Sequence, residues 1–229
     1  MKPVILITGG AAFDREFRSP ALVLNKAYST AVAAVGGIPM LPATHELAQE
    51  YCDMSDGLIL TGLTTYTPDP SLEGVLDSDG FERRIRHEKA LYEAFKKAGK
   101  PILGICLGEQ MINCYEGGTL KESFKFQDGV EHMKTDHMVS VKTGTILAQL
   151  FGESFRVNSR HNTRIDKLGE NLEVIAESPD GVIEAVRHKS RPVLGLQWHP
   201  ERMRGDIPEP PDGPDMTSLF EWFVKECGC

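Results

Sequence analysis

No basic excess, no long apolar run and no paired-cysteine pattern occur in this chain, and each absence removes a class of function. Twenty-five Lys and Arg against 33 Asp and Glu leave a formal charge of −8, without a basic run or a basic–aromatic patch. Nucleic acid and anionic membrane are thereby set aside as main partners. The apolar stretch inside MKPVILITGG is too short for a signal-sequence core or a membrane span. A cytoplasmic location is the expectation. The five cysteines, at positions 52, 106, 114, 227 and 229, form neither an even set nor a C-x-x-C pair, which argues against a disulfide scaffold or a cysteine-based zinc site. Cys227 and Cys229 fall at an end expected to fray. Internal repeats, low-complexity tracts and an interdomain linker are also missing, so residues 1–229 read as one domain with one core.

What is present alternates between short apolar strands and amphipathic helices. Val4 to Ile7, Ile38 to Leu41, Leu58 to Leu60 and Pro101 to Leu103 are apolar runs expected to be buried strands. Between them, Leu24, Ala27, Tyr28, Ala31, Val32 and Val35 recur at helical spacing, Thr44 is placed to cap a short helix through Tyr51, and Phe81 to Ala98 forms a charged helix. This order predicts an α/β fold with a doubly wound, mostly parallel sheet. Beyond Leu120 the segments shorten and alternate. Val139 and Val141, Phe155 to Asn158 and Leu172 to Ala176 read as strands, and Pro179-Asp180-Gly181 sets a hairpin with Val182 to Val186. Pro192 to Trp198 makes another strand, Arg204 to Pro214 a surface loop, and Met216 to Glu226 a closing helix. The result is a small antiparallel extension on the central sheet.

Gly104-Ile105-Cys106-Leu107-Gly108 joins a strand to a helix that includes Glu109 to Tyr115. It is a G-x-C-x-G turn, the cysteine counterpart of the strained nucleophile elbow. Such a bend lifts the central side chain out of the sheet and sets its thiol at a helix N-terminus, where the dipole and unpaired N–H groups favour thiolate. The Leu107 N–H is then placed to face a developing oxyanion. A buried small cysteine beside a loop is the plainer reading of the same five residues.

A nucleophilic cysteine needs a base and a group that orients it. His199 and Glu201 supply both; if the chain stays extended through Pro200, their side chains share a face. Trp198 is expected to pack. His45, His87 and His188 sit in polar contexts expected to be exposed. His132 and His137, in E-H-M-K-T-D-H, lie in a loop-like region with no third ligand regularly placed, so no metal is expected.

Gly104 to Gln110 followed by Gly117-Gly118-Thr119-Leu120, together with Gln197-Trp198-His199-Pro200-Glu201, resembles the class I glutamine amidotransferase superfamily. YSTAVAAVGGIPMLP from Tyr28 to Pro42, DGLILTG from Asp56 to Gly62, and Asn158-Ser159-Arg160-His161 resemble its gamma-glutamyl hydrolase branch. The resemblance runs through nearly the whole chain in order and implies a flavodoxin-like glutamine amidotransferase fold. It also implies Cys106 as nucleophile, His199 as base and then acid, and Glu201 as orienter, with a second oxyanion donor at the Gly62–Leu63 backbone. Gln110, Asn158, Ser159, Arg160 and His161 match positions near the substrate's glutamyl group. No cofactor is implied; the expected partner is a small gamma-glutamyl compound, and a homodimer is common among such proteins.

This chain departs from the branch around its substrate side. Leu63 stands where a second glycine is usual, Thr64 to Pro68 replace an aspartate-containing stretch, Leu107 replaces an arginine, and Asn162-Thr163 replaces His-Gln. The triad itself is intact, so the expectation is an altered substrate rather than lost chemistry. Three readings follow: a free-standing hydrolase of a small gamma-glutamyl amide, a glutaminase subunit feeding ammonia to a synthase, or a silent binding protein on the same fold.

Overall fold

In the computed structural model, residues 1–14, 19–44, 46–62, 78–121, 126–127, 130–205 and 209–228 are described. The strands that form its centre are the apolar runs of the sequence. They are β1 (Val4–Ile7), β4 (Ile38–Met40), β5 (Gly57–Leu60), β6 (Ile102–Ile105) and β15 (Val193–Leu196). In β5, β6 and β15 every residue is buried, as strands covered on both faces must be. The period of two then sorts the side chains. Ile5 and Ile7 join one apolar cluster while Leu6 between them joins the other.

Helices cover both faces. α1 (Lys26–Ala34), α5 (Ile146–Phe151) and α6 (Thr217–Cys227) pack on the cluster that holds Ile5, Tyr28 and Trp198. α2 (Ala48–Met54), α3 (Ser78–Ala98) and α4 (Leu107–Tyr115) pack on the cluster of Leu58, Phe95 and Ile112. Strands β4, β1, β5, β6 and β15 are parallel neighbours in that order. From β15 the same sheet continues antiparallel through β14 (Ile183–His188), β13 (Leu172–Glu177), β10 (Met133–Val141) and β11 (Ser154–Arg160). The expected extension is therefore the other half of one nine-stranded sheet. Among the described residues, three short antiparallel pairs lie outside it: β2 (Gly10–Asp14) with β3 (Ser19–Val23), β7 (Thr119–Lys121) with β12 (Arg164–Lys167), and β8 (Phe126–Gln127) with β9 (Val130–Glu131). No described helix is long and apolar enough to cross a membrane.

Several local expectations are corrected. α2 starts at Ala48 behind Leu47, which makes no side-chain cap; the Thr44 hydroxyl instead accepts the Glu46 N–H at 3.3 Å in the loop before it. Cys227 is 7% exposed within the core rather than frayed, because α6 runs through it and Gly57 leaves room for its sulfur. His87 is buried in α3. His137 belongs to β10, not to a loop. His45, Cys229, Leu63 and most of the loop from Thr61 to Asp79 lie outside the described residues.

Candidate active site

The bend between β6 and α4 holds Cys106 at φ 55° and ψ −105°. A non-glycine residue in that region stores about 1–3 kcal/mol and persists only where its surroundings impose it. Here they do. The Cys106 N–H donates to the Leu196 carbonyl at 2.7 Å, extending the β6–β15 ladder to the bend. On the other side, α4 lies almost on the backbone of β5: a Cβ at Gly108 would stand 2.2 Å from the Leu60 carbonyl oxygen. A Cβ at Gly104 would stand 2.5 Å from Ile112 Cδ1. Only glycine at these two positions lets strand, bend and helix close on one another. Leu107 opens α4, where the first N–H groups have no acceptor within the helix.

The chain from β15 brings the partner groups. Gln197 N–H donates to Glu184 O at 2.8 Å, and Trp198 is fully buried with its ring edge on Phe155. His199 is then held by its backbone from both sides. Its N–H donates to Asn158 Oδ1 at 2.8 Å, and its carbonyl accepts from Asn158 Nδ2 at 3.0 Å. The stretch after it does not stay extended, the condition under which the sequence put the two side chains on one face, but forms a 3₁₀ turn over Pro200–Arg202. Proline suits the first position of such a turn because it has no N–H to satisfy there. The turn folds Glu201 back, so that its Oε1 lies 2.8 Å from His199 Nδ1.

That contact fixes the ring: Nδ1–H donates to the carboxylate, and Nε2 is the remaining atom for proton exchange. The Cys106 side chain lies close enough for its charge to act on the His199 ring. Gly62 marks how closely the groups converge, since a Cβ there would stand 2.9 Å from His199 Cε1 and 3.3 Å from Cys106 Cβ. Burial alone would lower the imidazole pKa, but the charges of Glu201 and Cys106 and the bond to Glu201 overcome it and push His199 up to about 10. The arrangement favours a protonated imidazole.

Two residues that the sequence reading did not assign to the site complete it. Tyr28 on α1 is 3% exposed, and its hydroxyl accepts the Gly62 N–H at 3.1 Å. Burial, then the charges of Glu201 and Cys106, raise its pKa well above the ordinary phenol value. Arg84 on α3 is 2% exposed; its guanidinium donates to the carbonyls of Thr61 at 2.8 Å and Gly62 at 3.2 Å, while Glu88 holds its Nε at 2.9 Å. The peptide at the end of β5 is therefore gripped from both sides. Tyr28 carried a signal, a hydroxyl on the buried face of an amphipathic helix. Arg84 carried none, because its partner strand is distant in sequence.

The other expected site residues divide. Gln110 is buried and donates to Gln197 Oε1 at 2.8 Å and Thr163 O at 2.9 Å. Asn158 serves the His199 backbone, and Ser159 donates to the His132 carbonyl at 3.1 Å. Arg160 meets both carboxylate oxygens of Glu209, at 3.0 and 2.9 Å, on the rim of a cleft of about 180 Å³ that Lys134, Asp136 and Pro210 also line. His161 does not face the bend; its Nε2 lies 3.1 Å from His132 Nδ1 in a buried group with His137 and Glu184. Between the bend and that group is Glu109, fully buried with neither oxygen hydrogen-bonded. Burial, then Glu184 and Cys106, raise its pKa well above the carboxylate range.

A doubly wound sheet, a cysteine bend at the end of β6 and a buried His–Glu pair after β15 define the class. The peptidase C26 family pattern matches residues 3–201, and the chain belongs to that family, a class I glutamine amidotransferase-like group of hydrolases. Among its relatives is the gamma-glutamyl-gamma-aminobutyrate hydrolase PuuD of Escherichia coli strain K12, 31% identical over 225 residues, which cover 89% of this chain and 86% of PuuD. The glutamine amidotransferase-like protein YvdE of Lactococcus lactis is 34% identical over 170 residues, covering 68% of this chain and 70% of YvdE. A glutamine amidotransferase structure from Thermotoga maritima shares the fold with a TM-score of 0.60 at 16% identity, covering 88% of this chain and 77% of that one.

Proposed function

We propose that the protein hydrolyses the gamma-glutamyl amide bond of a small gamma-glutamyl compound through a thioester on Cys106. The observation that carries this reading is the strained Cys106 bend meeting an imidazole that a carboxylate holds at 2.8 Å. Cys106 sulfur attacks the gamma-carbonyl carbon, and the carbonyl electrons move onto oxygen. As that tetrahedral species collapses, the C–N bond breaks and the departing amine takes a proton from His199. Water then adds to the thioester, giving a proton to His199, and the C–S bond breaks to release a free gamma-carboxylate. Glu201 keeps the ring in one tautomer and stabilises its charged form throughout.

Oxyanion contacts would supply about 3–4 kcal/mol of the barrier reduction. In this proposal the Leu107 N–H is one donor. The second donor belongs to the Gly62–Leu63 backbone, where the Gly62 N–H is bound to the Tyr28 hydroxyl and Leu63 lies outside the described residues. Arg160 and Glu209 offer opposite charges for the alpha-carboxylate and alpha-ammonium of the glutamyl group, once they release one another.

The test is a panel of gamma-glutamyl amides, glutamine included, assayed with wild type and Cys106→Ser. Turnover of small gamma-glutamyl amides with trapping of a Cys106 adduct by a glutamine-like electrophile supports the proposal. Turnover of glutamine alone, rising when a co-purifying synthase is added, replaces it with the ammonia-donor reading. A folded protein that forms no adduct and turns over nothing is a binding protein.

A further inference from the structure

Apart from the Cys106 site, four ligand-type side chains converge inside the antiparallel half. His132, His137, His161 and Glu184 are each no more than 5% exposed, and their facing atoms all lie within 4.8 Å of one another. They come from separate places: His132 just before β10, His137 within it, His161 directly after β11, and Glu184 on β14. We propose that these four side chains bind one divalent transition-metal ion, zinc foremost, in a closed four-coordinate structural site.

Four of the six distances among the facing atoms match those of ligands around an ion, and the other two, from His137 to the other imidazoles, are no more than 4.8 Å. His132 Nδ1 lies 3.1 Å from His161 Nε2. Glu184 Oε1 lies 3.3 Å from His132 Nδ1, 3.3 Å from His137 Nε2 and 3.5 Å from His161 Nε2. Nitrogen and oxygen ligands about 2.0–2.1 Å from a tetrahedral zinc stand roughly 3.3–3.4 Å apart. A charged N–H donating straight to a carboxylate closes to about 2.7–2.9 Å, as His199 and Glu201 do. Neither Glu184 oxygen nor His137 Nε2 has a hydrogen bond of its own. A carboxylate this deeply buried is costly unless a cation answers it.

The outer contacts fit the same assignment. His132 Nε2 faces Asp180 Oδ2 at 3.1 Å, His161 Nδ1 faces the Thr163 carbonyl at 3.0 Å, and His137 Nδ1 faces the Met138 carbonyl at 3.2 Å. Each outward nitrogen therefore carries the ring proton in the neutral form, which turns the other nitrogen's lone pair toward the shared centre. This is the orientation that carboxylates and carbonyls impose on metal-bound histidines. Ser178 in turn donates to Asp180 Oδ1 at 2.5 Å. Four protein donors leave no open position, so the ion would pin strands rather than activate water. The sequence showed two of the ligands and expected no metal for want of a third; the third and fourth arrive only when β11 and β14 join the sheet.

The full chain, stripped with chelator, is titrated with Zn²⁺ against a chromophoric competitor and loaded separately with Co²⁺. One Zn²⁺ per chain, a higher Tm with Zn²⁺, and a tetrahedral Co²⁺ spectrum without a thiolate charge-transfer band are expected. His137→Gln and Glu184→Gln should each abolish stoichiometric binding, and Cys106→Ser should leave it intact. Asp180→Asn should weaken it roughly 10- to 100-fold. A wild-type chain that binds no Zn²⁺, or a Co²⁺ spectrum dominated by thiolate, overturns the proposal whether or not the variants fold. Stoichiometric binding that survives in Glu184→Gln does so too.

Discussion

One sheet carries two buried groups of histidine and carboxylate, and the distances within them differ in kind. At the end of β15, His199 and Glu201 stand 2.8 Å apart with a proton between them. In the antiparallel half, Glu184 stands 3.3 to 3.5 Å from three imidazoles. The first spacing suits a shared proton, the second a shared ion. The lesson is that residue type alone does not tell a proton relay from a ligand set. The distances do separate the two groups: a charged N–H donating straight to a carboxylate closes to about 2.7–2.9 Å, and the longer contacts of Glu184 are what the proposed ion would account for.

The strongest way to break this comparison is Cys106→Ser. Activity on the best gamma-glutamyl amide should fall by about 10⁴-fold or more, with Zn²⁺ binding unchanged. If the two properties fall together, the two groups are one. Next comes Glu201→Gln, which should lower kcat/KM by roughly 10²- to 10⁴-fold. It should also move the alkaline limb of the pH profile downward. The sign follows from His199, whose pKa of about 10 is held above the ordinary 6.5 by Glu201 and Cys106. Its protonated form is stabilised in the folded chain, so the associated stability is fully present below the ordinary value and is lost as pH rises through about 10. Removing the counter-charge brings that loss to lower pH.

Gly108→Ala tests the bend itself. A Cβ placed 2.2 Å from the Leu60 carbonyl oxygen forces α4 away from β5 and should cost about 3 kcal/mol in denaturant unfolding. Smallest is Tyr28→Phe, which leaves the Gly62 N–H without its acceptor. A loss of about 1 kcal/mol, or roughly fivefold in kcat at constant KM, is expected. An unchanged kcat would show that Tyr28 only fills space.

How much of this was legible beforehand depended on whether the signal was local. The inner parallel strands stood out because double-sided burial writes itself as unbroken apolar runs, and β1 begins and ends at the expected residues; the run expected as a buried strand at Ile38 is instead the edge strand β4, with Ile38 46% exposed. The G-x-C-x-G bend was equally readable as a local pattern, although the approach that demands glycine at 108, to the Leu60 carbonyl, comes from a strand distant in sequence. Partners supplied from a distance were not. Arg84 grips Thr61, just past β5, from helix α3, and Glu109 reads as an ordinary polar helix position until Glu184 is found beside it. The sequence left open whether His199 to Glu201 is extended; it is a 3₁₀ turn, which folds the carboxylate back to Nδ1. Asn158 and Ser159 matched positions near a substrate, yet their polar atoms serve the backbones of His199 and His132.

The last residues of β11 have a further consequence for how this protein can change over generations. Asn158 grips the His199 backbone from one side of the strand, while Ser159 on the other side, and His161 directly after the strand, both hold His132. A single insertion or deletion there would send every one of them to the opposite side of the strand. Diversification by loop length is therefore open almost anywhere else on the surface, but closed at this tip.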